Sequence, residues 1–472
     1  MKFKHSPTLI AIAASLMLAA CGGGDDDPAP APAPEETRAH DSREFTLPTE
    51  TTFAALTAAP GDTVDVTDTD RWAGALGGAA YRIEVPRNWN GKLVMYAHGY
   101  RGTGAALTVD APPLRRHLIE KGYAWAASSY SKNWYDVRAG VEDTNALALA
   151  FTEIAAENGR PLDEPTKTFI TGISMGGHIA AAAVEDETLA TANHKVKYNG
   201  SVPMCGVVGD IELFDYLGAA QLTAQALAGL PKYPQVDWAD IKDTVTAKLF
   251  TTFPSARTAD GDKYASVMQN LSGGPRPMFD IGFRGLYTGV VWGTFGSDGT
   301  VNGIFNKRVA DTNRFVYKID GDQAATDKLN AEVLKITAEP DANRLRRDGL
   351  RWVPQVNGEF SVPVVTIHTL GDMYVPFSME QIYRNRADAK GSGDWLVQRA
   401  IRGVGHCDFT LQEQAEAFDA MIAWEAGGPK PEGDDVLTAA TVADSAYGCK
   451  FTRNDTSSTR VNLAANYPCP AP

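Results

Sequence analysis

The chain reads as an α/β protein, a mostly parallel sheet flanked by helices and interrupted by one large insertion. Three observations predict this. Strand-like and helix-like segments alternate from Tyr81 to Met204 and again from Ser361 to Trp424. The alternation stops between Asp210 and Gly358, where Gly, Pro and aromatic residues are more frequent. One strand also runs directly into Gly172-Ile173-Ser174-Met175-Gly176-Gly177 and then into a small-residue helix.

Tyr81 to Val85 and Lys92 to Ala97 have the β-branched and aromatic content of strands. A helix is expected from Pro113 to Lys121, and a strand follows over Tyr123 to Ala127. Leu147, Phe151 and Ile154 fall at helical spacing within an expected helix from Val141 to Glu157. Lys167 to Thr171 forms the strand before the Gly-rich turn. The helix from His178 to Glu187 leads to an extended run from Val196 to Met204. The rhythm resumes with a strand over Ser361 to His368, a helix over Ser378 to Arg386, a strand over Trp395 to Ile401 and a helix over Leu411 to Trp424. An interruption of about 150 residues is far longer than the connections of about 2–6 residues usual in such folds. It is expected to be a cap or lid. The organisation is therefore a first core part over 45–209, an inserted cap over 210–358, a second core part over 359–428 and an extension over 429–472.

The first 44 residues have a different character. Lys2 and Lys4 precede an apolar stretch from Leu9 to Ala20, too short to span a bilayer as a mature helix. Gly22 to Gly24, Asp25 to Asp27 and the Pro-Ala alternation from Pro28 to Pro34 predict a solvated tether, taken to extend over 21–44. The formal net charge is −14, and loss of residues 1–20 removes two lysines and no acid, giving −16. Such a surface repels phosphate backbones, and no basic stripe with interleaved aromatics occurs, so nucleic acid is not an expected partner. No spacing suits a metal site and no cofactor is expected; Gly293 to Gly303 lacks phosphate-loop spacing and reads as a plain loop. Leu18-Ala19-Ala20-Cys21 resembles the lipobox of bacterial lipoproteins. That resemblance implies cleavage before Cys21, lipidation of its thiol and a membrane anchor at the cell envelope.

A serine hydroxyl needs a base to take its proton, and the base needs a third group to orient it. The strand–G-x-S-x-G–helix arrangement, with Gly172 and Gly176 leaving room for a tight turn, resembles the nucleophile elbow of the α/β-hydrolase family. In that family the order is Ser, acid, His. Here Ser174 is followed by Asp372, in Gly371-Asp372-Met373-Tyr374-Val375-Pro376 after one strand, and by His406, in Gly403-Val404-Gly405-His406 after the next. The resemblance covers most of the chain outside the insertion. It implies a serine hydrolase with Ser174 as nucleophile, His406 as base and Asp372 as orienting acid. The oxyanion donors are expected to be the backbone N–H of Met175 and that of Tyr100, in His98-Gly99-Tyr100, which resembles the family's HG motif.

Other residues compete for these roles. His178 lies on the helix after the elbow and reads as structural, His368 as a buried core histidine, His98 as a loop brace, and His117 and His194 as surface residues. Asp210 is the alternative acid, since some family members carry it one strand earlier; Asp408 is too close to His406 in the chain to orient its ring. Tyr130 and Trp134 follow a strand end on the same face as the elbow and would either line an acyl pocket or serve ordinary loop packing. Phe279, Phe283, Tyr287 and Trp292 would form either an aromatic ceiling or the insertion's own core.

Cys205, Cys407, Cys449 and Cys469 form an even set in an exported chain, which suggests two disulfides in one of three pairings. Cys449 with Cys469 would staple the tail, and Cys205 with Cys407 would bridge two loops near the candidate site. The His406-Cys407 pair is similar to that of the feruloyl esterase and tannase family, where a disulfide ties the base loop to the nucleophile. This chain departs from that pattern, because Ile173 rather than Cys precedes Ser174. The reading as a whole is a serine hydrolase of carboxylic esters acting through an acyl-enzyme. The alternatives are an amidase or peptidase of the same fold and a binding protein on a disabled hydrolase scaffold. The intact Ser174, Asp372 and His406 argue against the last.

Overall fold

A computed structural model of the 472-residue chain describes residues 34–230, 238–285, 290–293, 304–453 and 467–469. Cys21, Tyr287 and most of the loop from Gly293 to Gly303 lie outside these residues. Among them the strands are β1 (Thr69–Leu76), β2 (Ala79–Pro86), β3 (Lys92–Ala97), β4 (Ala124–Ser128), β5 (Lys167–Ile173), β6 (Ser201–Met204), β7 (Phe250–Thr252), β8 (Ala256–Arg257), β9 (Val364–Thr369) and β10 (Leu396–Ile401). All but β7 and β8 form a single sheet in the order β1-β2-β4-β3-β5-β6-β9-β10. β2 runs antiparallel to β1 and β4, and every pairing from β4 to β10 is parallel.

The central strands read as unbroken apolar runs because both sheet faces are covered. Leu93, Met95 and Ala97 of β3 pack into one buried layer, while Val94 and Tyr96 pack into the other. β1 was not anticipated from the sequence. Its residues, Thr-Asp-Arg-Trp-Ala-Gly-Ala-Leu, show no period-2 alternation, because it pairs only with β2 at the edge of the sheet. β9 begins at Val364 rather than Ser361, after Pro363, which has no N–H to give a ladder. The helix expected from Val141 begins at Val137, where the Asp136 carboxylate accepts the Ala139 N–H (3.0 Å) as an N-cap. It also ends at Leu149, with a separate helix over Phe151–Glu157.

The segment between β6 and β9 is largely helical, with the longer helices at Glu212–Leu227, Trp238–Leu249, Ala259–Leu271 and Gln323–Glu332 and the β7–β8 hairpin. Phe279, Phe283 and Trp292 are at most 3% exposed. Trp292 packs against Phe250 and Phe253 and gives its indole N–H to the Tyr264 hydroxyl (2.8 Å). These aromatics are the insertion's own core. Three contacts seat the insertion on the loop after β9. The Tyr216 hydroxyl donates to the Met373 carbonyl (3.0 Å), Arg276 Nε donates to the Leu370 carbonyl (2.8 Å), and Gly282 packs against Gly371 so closely that a Cβ would overlap that backbone.

The expected tether boundary at residue 44 needs correction. Arg38 and His40 are buried, and Ala39–Ser42 forms a 3-10 turn. Arg38 Nη2 donates to Asp136 (2.8 Å) and Asp41 (2.9 Å), and His40 Nε2 lies 3.2 Å from Asp136. Burial acts to raise the Asp136 carboxyl, but Arg38, His40 and the Ala139 N–H outweigh it and hold the group below the usual carboxylate range. A depressed acid stabilises the fold at pH values above its unfolded pKa of about 4, and that contribution is lost as pH falls through the lower folded value. Arg38→Met is therefore expected to cost about 3 kcal/mol near pH 7. In chemical denaturation, this deficit should shrink as the pH is taken below about 4. Equal deficits at pH 7 and pH 3 would contradict the ion-pair account.

Candidate active site

The strand order and the parallel core are those of the α/β-hydrolase fold, in which reacting groups are carried by loops at the C-terminal ends of the strands. In this chain those loops are tightly turned. Tyr130 and Trp134 after β4, Ser174 after β5, Cys205 and Asp210 after β6 and Cys407 after β10 all have positive φ without being glycine. Each such conformation costs on the order of 1–3 kcal/mol and persists only where the surroundings enforce it.

Ser174 sits at φ 60°, ψ −122°, between β5 and the helix Met175–Ala182. The turn is possible because a Cβ on Gly172 would overlap the Gly176 carbonyl, and one on Gly176 would overlap the Ala97 carbonyl. The Ser174 N–H donates to the Met204 carbonyl of the neighbouring β6 (3.0 Å), which fixes the turn to the sheet. Opposite it, the ring of His406 spans two groups that lie 232 and 34 residues away along the chain. Nε2 is 2.7 Å from Ser174 Oγ, and Nδ1 is 2.5 Å from Asp372 Oδ2. The Asp372 side chain is fully buried, and that of His406 is 21% exposed. Oδ1 of Asp372 accepts the N–H groups of Tyr374 (2.9 Å) and Val375 (3.1 Å), so both carboxylate oxygens are engaged. The acid and base loops are tied together by Gly371 N–H to the Gly403 carbonyl (2.9 Å) and by Thr369 Oγ1 to the Gly405 carbonyl (2.8 Å). Tyr374 sets its ring edge-on to His406 at 5.8 Å, a contact that spacing alone did not single out.

The residues expected to supply the oxyanion donors follow Ser174 and Gly99 in the chain. Met175 opens its helix, so its N–H has no carbonyl to bond within it. Gly99 packs on the elbow, where an added Cβ would stand 3.2 Å from Ser174 Cβ, and the half-exposed Tyr100 follows it directly. His98 braces this loop. Its ring nitrogens face the carbonyls of Gly99 (2.7 Å) and Ser129 (3.2 Å), and burial lowers its pKa to about 4.

Tyr130 does not line an open pocket, which corrects the expectation for it. It is 1% exposed, its ring stacks on His98 at 4.1 Å, and its hydroxyl donates to the His98 carbonyl (2.9 Å). The left-handed backbone at Tyr130 turns the side chain back under the loop. Trp134 is half-buried beside that loop. Its backbone N–H donates to the Gly102 carbonyl (2.9 Å), and the Arg43 guanidinium lies over its ring at 4.0 Å.

The competing residues have other partners. The buried Asp210 accepts from Arg386 Nη1 (2.6 Å) and the Val356 N–H (3.0 Å). His178 is buried between the Tyr135 hydroxyl (2.8 Å) and the Pro354 carbonyl (2.7 Å), and burial lowers its pKa to about 4. His117 meets Asp419 at 2.8 Å, and His194 is half-exposed beside Glu142. Cys205 pairs with Cys407, and Cys449 with Cys469. The sulfurs beside His406 are thus bonded to each other rather than available as metal ligands. Among the described residues, no helix is long and apolar enough to cross a membrane.

No family model matches the chain. It is 23% identical over 437 residues to the o-phthalyl amidase of Xanthobacter agilis, covering 79% of this chain and 91% of that protein. Among solved structures it is similar to feruloyl esterase B from Aspergillus oryzae, with 16% identity, a TM-score of 0.46 and coverage of 80% and 85% of the two chains. The acylaminoacyl peptidase of Pyrococcus horikoshii gives 11% identity and a TM-score of 0.37 over 78% of this chain and 43% of that one.

Proposed function

We propose that the chain is a serine hydrolase that cleaves carboxylic esters through an acyl-enzyme. The observation that carries this reading is the continuous line from Ser174 Oγ through His406 to Asp372, at 2.7 and 2.5 Å. In this mechanism His406 takes the Ser174 proton as Oγ attacks the ester carbonyl. The resulting oxyanion is held by the N–H groups of Met175 and Tyr100, and collapse expels the alcohol with a proton from His406. Water then attacks the acyl-enzyme with His406 again as base, and His406 returns that proton to Ser174 Oγ as the carboxylic acid leaves. Buried Asp372 orients the imidazole and stabilises its charged form at both stages. The helix that begins at Met175 adds a favourable field for the oxyanion. The insertion, seated on the acid loop, shapes access for a small or oligomeric ester, with Trp134 at the rim. No cofactor, metal or nucleic acid enters this reading. Export to the cell envelope, with a lipid anchor at Cys21, accords with the two disulfides.

An amidase of the same mechanism is the second reading, favoured by the likeness to o-phthalyl amidase over most of that protein's length. Matched p-nitrophenyl esters and p-nitroanilides separate the two, since the anilide requires stronger protonation of its leaving group. Ester turnover is expected to exceed anilide turnover, with a fluorophosphonate labelling Ser174. Ester rates no higher than those of Ser174→Ala, beside robust anilide cleavage, would transfer the assignment to the amidase. A folded protein that the fluorophosphonate leaves unlabelled would remove the hydrolase reading altogether.

A further inference from the structure

Beside Asp372 lies a second buried imidazole–carboxylate pair that the mechanism above does not use. His368 on β9 and Glu380 on the helix Ser378–Lys390 are each about 1% exposed or less. His368 Nε2 is 2.8 Å from the Val375 carbonyl and 4.0 Å from Asp372 Oδ2, and Nδ1 is 3.3 Å from Glu380 Oε1. A carbonyl cannot donate, so Nε2 carries a proton. Nδ1 lies against Glu380 Oε1 as an ion-pair contact without hydrogen-bond geometry, so the two buried atoms have charge attraction rather than a hydrogen bond to hold them. Glu380 Oε2 already accepts from Thr366 Oγ1 (2.6 Å) and Gln398 Nε2 (2.5 Å), as a carboxylate would. This arrangement suits an imidazolium facing a carboxylate. Burial acts to lower the His368 pKa, but Glu380 and Asp372 overcome it and the net shift is upward.

The geometry points to His368 and Glu380 as positioning residues that clamp the acid loop and, through Asp372, set the charge that faces His406. This rests on the hydrolase reading above. The clamp acts at Val375, whose N–H is given to Asp372 Oδ1 and whose carbonyl is taken by His368. The electrostatic part follows from a shared acceptor. His368 and His406 approach the same oxygen, Asp372 Oδ2, so a positive charge on one disfavours a positive charge on the other. Other ionisable groups also pack around the pair. Arg276 of the insertion donates to the Leu370 carbonyl, with its pKa lowered by burial to about 10, and Arg384 donates to Gln398 Oε1. Tyr216, Tyr383 and Tyr447 are all raised by burial and stay neutral near pH 7. None of these changes charge where an imidazole titrates.

The test is the pH dependence of kcat/KM for whichever p-nitrophenyl ester or p-nitroanilide the wild type turns over, in Glu380→Gln and His368→Gln. The second variant keeps a donor near Val375 but removes the charge. Loss of the imidazolium removes a positive charge that opposes one on His406, so the acid limb is expected to move to higher pH by roughly half a unit to one unit in His368→Gln, and by less in Glu380→Gln, which removes a negative charge as well. Folded variants whose acid limb coincides with that of the wild type would overturn the proposal, whatever their loss of stability. Imidazole nitrogen shifts of His368 in the wild-type protein decide independently of either variant's folding. Both nitrogens should still carry protons at pH 6.5, the ordinary midpoint of a free imidazole, and a neutral ring there would refute the pair. Failure of a fluorophosphonate to label wild-type Ser174 would instead strike at the hydrolase reading.

Discussion

Asp372→Asn is expected to lower kcat on the order of 10³–10⁴-fold while leaving KM and thermal stability near wild type. The amide can still accept the N–H groups of Tyr374 and Val375 at Oδ1, so the loop keeps its shape. The atom facing His406 Nδ1, however, becomes a donor in place of an acceptor. The imidazole then adopts the tautomer with its proton on Nε2, pointing at Ser174, and can no longer take the serine proton. Ser174→Ala should cost at least as much, and combining the two should add little, because the three groups act as a unit. Steady-state kinetics on a p-nitrophenyl ester measure all three proteins. Near-wild-type kcat in Asp372→Asn would show that the acid is elsewhere, and Asp210 would be the residue to test next.

The second large effect is expected at the Cys205–Cys407 bridge. Cys407 follows His406 directly, and Cys205 follows Met204, whose carbonyl holds the Ser174 N–H. The disulfide therefore joins the His406 loop to the strand that anchors Ser174, across 202 residues of sequence. Replacing both cysteines with Ala frees the His406 loop to drift relative to Ser174. A misplacement of about 1 Å is enough to lower kcat on the order of 10²-fold. A closed loop of this length also contributes about 3–5 kcal/mol by constraining the unfolded chain, so the midpoint of thermal unfolding should fall as well. The Cys449→Ala, Cys469→Ala protein is the control. That bridge spans only 20 residues near the C-terminus, and its loss should leave kcat unchanged. Full kcat in the Cys205→Ala, Cys407→Ala protein would mean that the hydrogen bonds between the acid and base loops suffice to hold His406.

Some site residues were legible because their signal is local. Gly172 and Gly176 mark the elbow through a steric need that shows in the sequence itself, since no other residue leaves room for the Gly176 and Ala97 carbonyls. Asp372 and His406 were legible because each follows an apolar run that ends in a Gly-containing loop. Tyr130 misled for an equally physical reason. Its place after β4 fixes the end of the sheet to which it belongs, but a single left-handed residue reverses the side chain, and that conformation has no signature for a tyrosine. Arg38 and His40 misled because they follow a Pro-Ala tract, while the partner that buries them, Asp136, is 98 residues away from Arg38.

What the amino-acid order determined by itself was the alternation of strands and helices, the insertion between two parts of a parallel sheet and the order Ser174, Asp372, His406 of the candidate triad. All of these depend on residues within a few positions of one another. Only the tertiary structure decided which cysteines pair, that Asp210 is committed to Arg386, and that His368 stands between Glu380 and Asp372. Those outcomes depend on which strand ends become neighbours, and here β6 lies between β5 and β9 although about 160 residues separate it from β9 along the chain. Sheet order of that kind is set by long-range burial of both faces, which leaves no imprint at any single position.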